Sequence, residues 1–383
     1  MSVADERAEY LLVSGDFVKT GGMDRANYAL ASYLLGRGHR VHLVGHRADP
    51  ELIGRPGAVF HRVIKPLNSY LLGEPFLRQT GRQWARRLGP QGARVVINGG
   101  NCGWGDVNWV HYVHACWTPR PGVGTLRRAK TSLSHRTALA AERAGVRKAR
   151  VVVANSEQTR AAVIDRLGLS PERVHTVYYG VDPARFRPAT AAERTEARAR
   201  HGWHGDRPVL AFVGALGDGR KGLDTLLAAW RHLRETRDWD ARLVVIGAGA
   251  SLAKLEEASR DLGGSVEFLG FRRDVPDILR GCDALVSPTR YEAYGLNVHE
   301  ALCCGLPALV SRSAGVAERY PSELQDWLIP DPDDPCGLAD RLRAWRQDRG
   351  RYEPALASFS DRLRSHTWDD MAARFVELID RSI

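Results

Sequence analysis

A chain of 383 residues exceeds what one ordinary core holds, so two domains are expected. With 44% hydrophobic and 26% charged residues, no apolar run of spanning length and no apolar core in the opening MSVADERAEY, it reads as a cytoplasmic globular protein. Six cysteines without C-x-x-C spacing imply free thiols and no structural zinc, and no basic-aromatic reading motif accompanies the net charge of +10, which argues against nucleic acid.

The first strand is expected at YLLVSG (10–15), followed by the glycine loop DFVKTGGMD. RANYALASYLLGRGH has apolar residues at helical spacing and stops at Gly36 and Gly38; RVHLVGH is the next strand. This is a βαβ unit, whose loop lies at the carboxyl end of a parallel strand. Further strands are expected at ARVVIN (93–98), VNWVHYVH (107–114), RVVVANS (150–156) and VHTVYYG (174–180). The pattern then restarts with the strand RPVLAFVGAL (207–216), a loop and helix in GRKGLDTLLAAWRHLR, and ARLVVIGAGA with its glycine turn. SVEFLGF, CDALVSP and PALVS follow as strands, and an amphipathic helix closes the chain. Two successive α/β series imply two Rossmann-like domains, 1–185 and 186–365, meeting near the charged stretch GVDPARFRPATAAERTEARARHG.

Charge is uneven along this plan. Residues 1–185 carry 27 Lys+Arg against 14 Asp+Glu, a balance of +13, and residues 186–383 balance at −3. The densest run, Arg120 to Arg150, holds nine basic residues and one acid, Glu142. Such asymmetry fits either an anionic partner, such as lipid headgroups or a phosphorylated acceptor, or a solvated face.

The motifs exclude several chemistries. No G-x-G-x-x-G follows the first strand, and the lone G-x-G at Gly247–Gly249 is a tight turn by itself. There is no Walker A loop, no G-x-S-x-G elbow and no H-E-x-x-H. What stands out is TRYEAYGLNVHEALCCGLPALVS, in which Glu292 and Glu300 enclose seven residues around a glycine turn.

That pair resembles the E-x7-E motif of retaining GT-B glycosyltransferases of family 4. The TGG loop, RGHRVHLVG, VVVANSEQTR, YYGVDPARFRP, GRKGLDTLL and FLGFRRDV match the same family in the same order over nearly the whole chain. The resemblance implies two Rossmann-like domains facing a central cleft. The N-terminal domain would bind the acceptor and the C-terminal one a nucleotide sugar, and a last helix (about 366–383) would cross back to the first domain.

The residue chemistry fits that reading. A helix opening near Gly295 offers backbone N–H groups and a positive dipole end to a diphosphate. Glu300, one turn inside, can accept both hydroxyls of a ribose, and Glu292, ahead of the turn, can face the donor sugar; the family implies this split. The resemblance also implies donor contacts at Tyr294, Gly295 and Leu296. Lys221 and its neighbour Arg220 would supply charge to the leaving phosphate. Many members carry an arginine where this chain has Ala215, so Arg220 is expected to take that place, as in a subset resembling lipopolysaccharide core glucosyltransferases.

In the first domain Gly21 and Gly22 would turn N–H groups toward phosphate or acceptor, the alternative being a plain turn. His114, at the end of its strand, matches a family histidine that touches the transferred sugar, with a core role as the rival for it and for His111. Asn155 and Ser156 are expected near the acceptor, and Trp117 as a sugar-stacking residue or a core filler.

The expected reaction is transfer of a hexosyl unit, with retention, from a UDP-sugar or, next, GDP-mannose. The acceptor is a hydroxyl of a glycolipid, a polysaccharide precursor or another glycan. No metal and no cofactor are expected, and peripheral contact with an anionic membrane is. The alternatives are a small soluble acceptor such as a natural product, a GT-B nucleotide-sugar epimerase, and a non-catalytic nucleotide-sugar-binding or membrane-surface protein.

Overall fold

Buried β-branched and leucine runs build two parallel sheets, one in each of two units of the chain: Met1–Gly180 with Trp368–Ile383, and Val181–Thr367. The computed structural model describes residues 8–118, 125–235 and 239–382, with residues 125–130 described through their backbone alone.

In the first unit the strands are β1 (Glu9–Val13), β2 (Asp16–Phe17), β3 (Arg40–Gly45), β4 (Arg47–Ala48), β5 (Ala58–Arg62), β6 (Arg94–Asn98), β7 (Val107–Val110), β8 (Val151–Ala154) and β9 (Val174–Thr176). Seven of them form a parallel sheet in the order β5-β3-β1-β6-β7-β8-β9, while β2 and β4 pair beside it. Leu12 stands opposite Leu43 on one side and Val96 on the other. Leu11, Leu12, Val13 and Ile97 are fully buried, as strands covered by helices on both faces require. Each such side chain is worth about 1.5–3 kcal/mol of burial.

The second unit holds β10 (Val209–Val213), β11 (Arg242–Ile246), β12 (Val266–Gly270), β13 (Ala284–Ser287), β14 (Ala308–Ser311) and β15 (Leu328–Ile329), in the order β12-β11-β10-β13-β14-β15. Both sheets therefore reverse beside their first strand. The chain runs outward from β10 to β12 and then returns to place β13 on the other flank of β10. The loops that leave the two strands at such a reversal sit at the carboxyl ends, where open α/β sheets place their ligand sites. In the second unit those two loops are 214–222 and 288–295.

The terminal helix, Trp368–Ser382, belongs to the first unit. Its buried stripe of Met371, Ala372, Phe375 and Ile379 packs on the Gly22–Gly36 helix, and Phe375 meets Trp109 with ring centroids 4.5 Å apart.

The division between units falls at Gly180/Val181 rather than after 185. Two strands stop about four residues early: β7 ends at Val110, and His114–Cys116 is a 3-10 turn; β9 ends at Thr176. β5 was not foreseen. It is an edge strand whose residues are half-buried or exposed, so its sequence AVFHR carries no continuous apolar run.

Candidate active site

The loop after β10 delivers two cations to one place. Gly214 ends the strand, and the Lys221 stem lies so close that a Cβ on Gly214 would stand 3.2 Å from its Cγ. Gly222 then closes the loop at φ 71° and caps the Leu223–Arg234 helix. A Cβ there would stand 1.8 Å from the Pro288 carbonyl oxygen, so only glycine lets the two loops approach this closely.

The loop after β13 brings Glu292 to the same cations. Its Oε2 accepts from Lys221 Nζ and, at 3.3 Å, from Arg220 Nη1. All three side chains are nearly buried, at 13%, 18% and 17% exposure for Lys221, Arg220 and Glu292. Burial alone raises the Glu292 carboxyl, but the charges of Lys221 and Arg220 outweigh it and hold the group below the usual carboxylate range.

Gly295, at φ 105°, is the N-cap of the Leu296–Cys303 helix. A Cβ there would come within 2.9 Å of Val316 Cγ1. The Leu296 and Asn297 N–H groups precede the first backbone hydrogen bonds of that helix, which run from Val298 N–H and His299 N–H to the Gly295 carbonyl, and they mark its positive end. Leu296, Asn297 and Glu300 are partly exposed, whereas Val298, His299, Ala301, Leu302 and Cys303 are buried. Residues three and four apart share a helix face, so Glu300 stands on the accessible stripe above Leu296 and Asn297. Tyr294 does not share this role through its side chain. Its ring is buried and its hydroxyl bonds His299 Nδ1 at 2.6 Å.

Two residues missed in the sequence hold the loops. Asn297 Nδ2 donates to the Val213 carbonyl at 2.8 Å, which ties the helix start to the end of β10. Arg290, buried behind the site, pairs with Asp224 at 2.7 Å and Asp333 at 2.6 Å. Its own N–H and the Thr289 hydroxyl both donate to the Arg220 carbonyl, at 2.8 and 3.1 Å. Their partners lie 43 to 84 residues away in sequence, so no local pattern announces them.

In the first unit Gly21, at φ 81°, is the exposed N-cap of the helix that Gly22 begins. Asp24 in its first turn is pushed up to about 7, by burial first and then by the Asp16 carboxylate. His114 is half-buried in its 3-10 turn rather than at a strand end, with burial pushing it down to about 4, which makes its ring neutral at pH 7. His111 is a core residue: its Nδ1 meets the Tyr179 hydroxyl at 2.5 Å and its ring lies against Trp109.

Asn155 and Ser156 are buried and engaged within the first unit. Asn155 is buried and donates to the His111 carbonyl and the Tyr179 hydroxyl, each at 3.2 Å. Ser156 is the buried N-cap of the Glu157–Leu167 helix, its Oγ accepting from Thr159 N at 3.0 Å. Trp117 is half-buried. Of the Arg120–Arg150 run, residues 119–124 and the side chains of 125–130 lie outside the described residues. Among the described residues no group of three His, Cys, Asp or Glu side chains is placed to hold a metal ion.

Residues 207–348 match the family described as Glycosyl transferases group 1, and residues 20–185 match Glycosyltransferase Family 4. D-inositol 3-phosphate glycosyltransferase 1 of Catenulispora acidiphila is 30% identical over 257 residues, 64% of this chain. The matched part spans 60% of that relative's own length. The lipopolysaccharide core biosynthesis mannosyltransferase LpsB of Rhizobium meliloti is 29% identical over 267 residues, 67% of this chain and 73% of that protein. The crystal structure of WaaG, a glycosyltransferase involved in lipopolysaccharide biosynthesis, has a TM-score of 0.75 at 21% identity, covering 97% of this chain and 99% of that one. At that identity the likeness speaks for the fold.

Proposed function

This chain belongs to the family 4, group 1 glycosyltransferases and has their GT-B fold of two Rossmann-like units, and on that footing we propose that it transfers a hexosyl unit from a nucleotide sugar to an acceptor hydroxyl with retained anomeric configuration. The observation that carries this reading is the meeting of Lys221, Arg220 and Glu292 at the strand reversal of the second sheet, with Glu300 on the accessible face of the adjoining helix.

The donor diphosphate takes the Leu296–Cys303 helix start and the two cations, displacing Glu292 from them. Glu300 accepts the ribose hydroxyls, and the released Glu292 carboxylate turns to the sugar. The bond from the anomeric carbon to the phosphate oxygen breaks while the bond to the acceptor oxygen forms on the same face. The acceptor proton leaves with the nucleoside diphosphate. Lys221 and Arg220 carry the charge that develops on the leaving oxygen, in a site nearly closed to water, where such charges act strongly. Arg220 fills the role that Ala215 cannot.

The acceptor belongs to the first unit, with His114 and Trp117 as its contacts and the Gly21–Gly22 turn beside it. A glycolipid or glycan precursor is supported by the lipopolysaccharide core biosynthesis relative, and a small phosphorylated acceptor by the D-inositol 3-phosphate one. The same reading includes a cytoplasmic site of action with peripheral contact to an anionic membrane. UDP-sugars stand first as donors and GDP-mannose second.

A thermal-shift panel of UDP-, GDP- and ADP-sugars identifies the nucleotide, and NMR of the product made with the best donor gives its anomeric configuration. An inverted product overturns the retaining mechanism. An epimerised donor formed without acceptor makes the protein an epimerase, and tight binding with no turnover makes it a binding protein.

A further inference from the structure

Unlike the rest of the described surface, the stretch that follows β5 is strongly apolar. Ile64, Leu67, Tyr70, Leu71, Leu72 and Phe76 are six of the ten large hydrophobic residues exposed among the described ones, and Leu67 is 91% exposed. Leu67 and Asn68 are also the non-glycine residues held at positive φ, 50° and 51°. A bulky side chain rarely adopts that conformation. Here it is fixed by two backbone bonds, Asn68 N to Lys65 O at 3.1 Å and Ser69 N to Pro66 O at 2.9 Å, and it leaves Leu67 projecting into solvent.

The helix behind this turn, Tyr70–Leu88, is seated rigidly. Gly73, Leu77, Gly81, Ala85 and Leu88 form its buried stripe. Gly73 and Gly81 fit so closely that a Cβ would lie 2.8 Å from the His46 ring and 2.9 Å from Val13. The opposite face changes character along its length. Leu71, Leu72 and Phe76 are exposed at the start, and Arg82, Arg86 and Arg87 are exposed further on.

Residues 62–88 contain six basic residues and one acid, Glu74, which Arg78 neutralises at 2.7 Å. An apolar tip with Arg62 and Lys65 before it and an exposed arginine face further along its helix matches the surface of an anionic bilayer, where headgroups overlie hydrocarbon. A second copy of the chain fits poorly, because a two-fold interface would set this cationic segment against itself. A single sugar acceptor has no use for six exposed large apolar side chains. No helix among the described residues is long and apolar enough to cross a membrane, so contact of this kind is interfacial.

We propose that residues 62–88 dock the protein on an anionic lipid bilayer, with Leu67, Leu71 and Leu72 entering the interface and Arg62, Lys65 and the helix arginines holding headgroups. This rests on the reading of peripheral membrane contact and gives it a surface. That segment is distinct in sequence from the Arg120–Arg150 run, and the proposal is independent of which sugar is transferred.

Co-sedimentation of the full chain tests it, using phosphatidylcholine vesicles with and without phosphatidylglycerol. Binding is expected only to the mixed vesicles, weakened by salt. The triple variant L67S/L71S/L72S is expected to lose roughly tenfold or more of that binding, with an unchanged melting temperature and unchanged nucleotide affinity. Unaltered binding by the triple variant overturns the assignment. If the R127Q/R128Q/K130Q variant alone loses binding, peripheral contact stands but runs through the other basic segment. If the wild type binds neither vesicle while still transferring sugar to a soluble acceptor, the membrane reading falls and the transferase reading survives. A wild-type dimer that the triple variant converts to monomer assigns the patch to self-association instead.

Discussion

One carboxylate oxygen, Glu292 Oε2, accepts from both Lys221 Nζ and Arg220 Nη1. On the proposed reading the two cations assigned to a diphosphate are therefore already paired with the one carboxylate assigned to the sugar. Donor binding becomes an exchange, in which phosphate takes the cations and the carboxylate is released. Substituting Glu292→Gln should remove the competitor. The affinity for UDP or another nucleoside diphosphate should hold or rise by a few fold, while kcat falls by about ten- to a hundredfold, the scale of one hydrogen bond to a charged group. Calorimetry with the nucleotide and steady-state rates separate the two effects. A variant that loses nucleotide affinity and keeps kcat reverses the assignment.

Glu300 has a different position and should have a different phenotype. It stands on the open stripe of the Leu296–Cys303 helix, one turn in from the N-terminus. Glu300→Ala should weaken nucleotide-sugar binding by about 1.5–3 kcal/mol. Calorimetric affinity equal to wild type would remove Glu300 from the ribose.

Glu292, Glu300 and the Arg220–Lys221 pair stood out through the family motifs, and each also sits in a local pattern, a glycine turn before a helix or a loop after a strand. The pairing of Glu292 with both cations was not legible, because its partners lie about 70 residues away. The two parallel sheets were legible from local pattern, since buried strands read as apolar runs. Asn155 and Ser156 show where local reading stops. A serine before a helix looks the same whether it caps the helix or touches a ligand, and here it caps. His111 and His114 were separable only through distant partners, Tyr179 for one and the Glu142 segment for the other. Arg290 and Asn297 carry no local signal at all, because their role is to join segments far apart in the chain.

Close approach of the two site loops rests on Gly222. Alanine there combines a left-handed φ with a Cβ set 1.8 Å from a backbone oxygen, and backbone cannot yield as a side-chain tip can. Gly222→Ala should cost about 3 kcal/mol or more, lowering the melting temperature by roughly 6–12 °C for a unit of this size. Gly217, in the same loop, has nothing within 4 Å of its Cβ position and no positive φ. Gly217→Ala should stay within about 0.5 kcal/mol of wild type. Equal melting temperatures for the two variants would show that the loops are free to part.

Glu142 makes the pH dependence specific. It is buried on the Thr125–Lys148 helix, and its Oε1 accepts from the His114 N–H at 2.8 Å, which steadies the turn that carries His114. Burial raises its carboxyl from the ordinary 4.5 to about 7, and the hydrogen bonds from the backbone at His114 and Ala115 offset only part of that rise. The folded state therefore holds this proton more tightly than the unfolded chain does. Its contribution to stability is complete below 4.5 and is lost as pH climbs through about 7. Glu142→Gln keeps an oxygen for the His114 N–H and cannot ionise. Variant and wild type should melt alike near pH 4.5, and the variant should gain up to about 3 kcal/mol over wild type by pH 8. Melting curves across that range decide it. A difference that stays flat with pH would mean that Glu142 is ionised in the fold throughout, and that its burial is compensated by a charge in addition to Arg143.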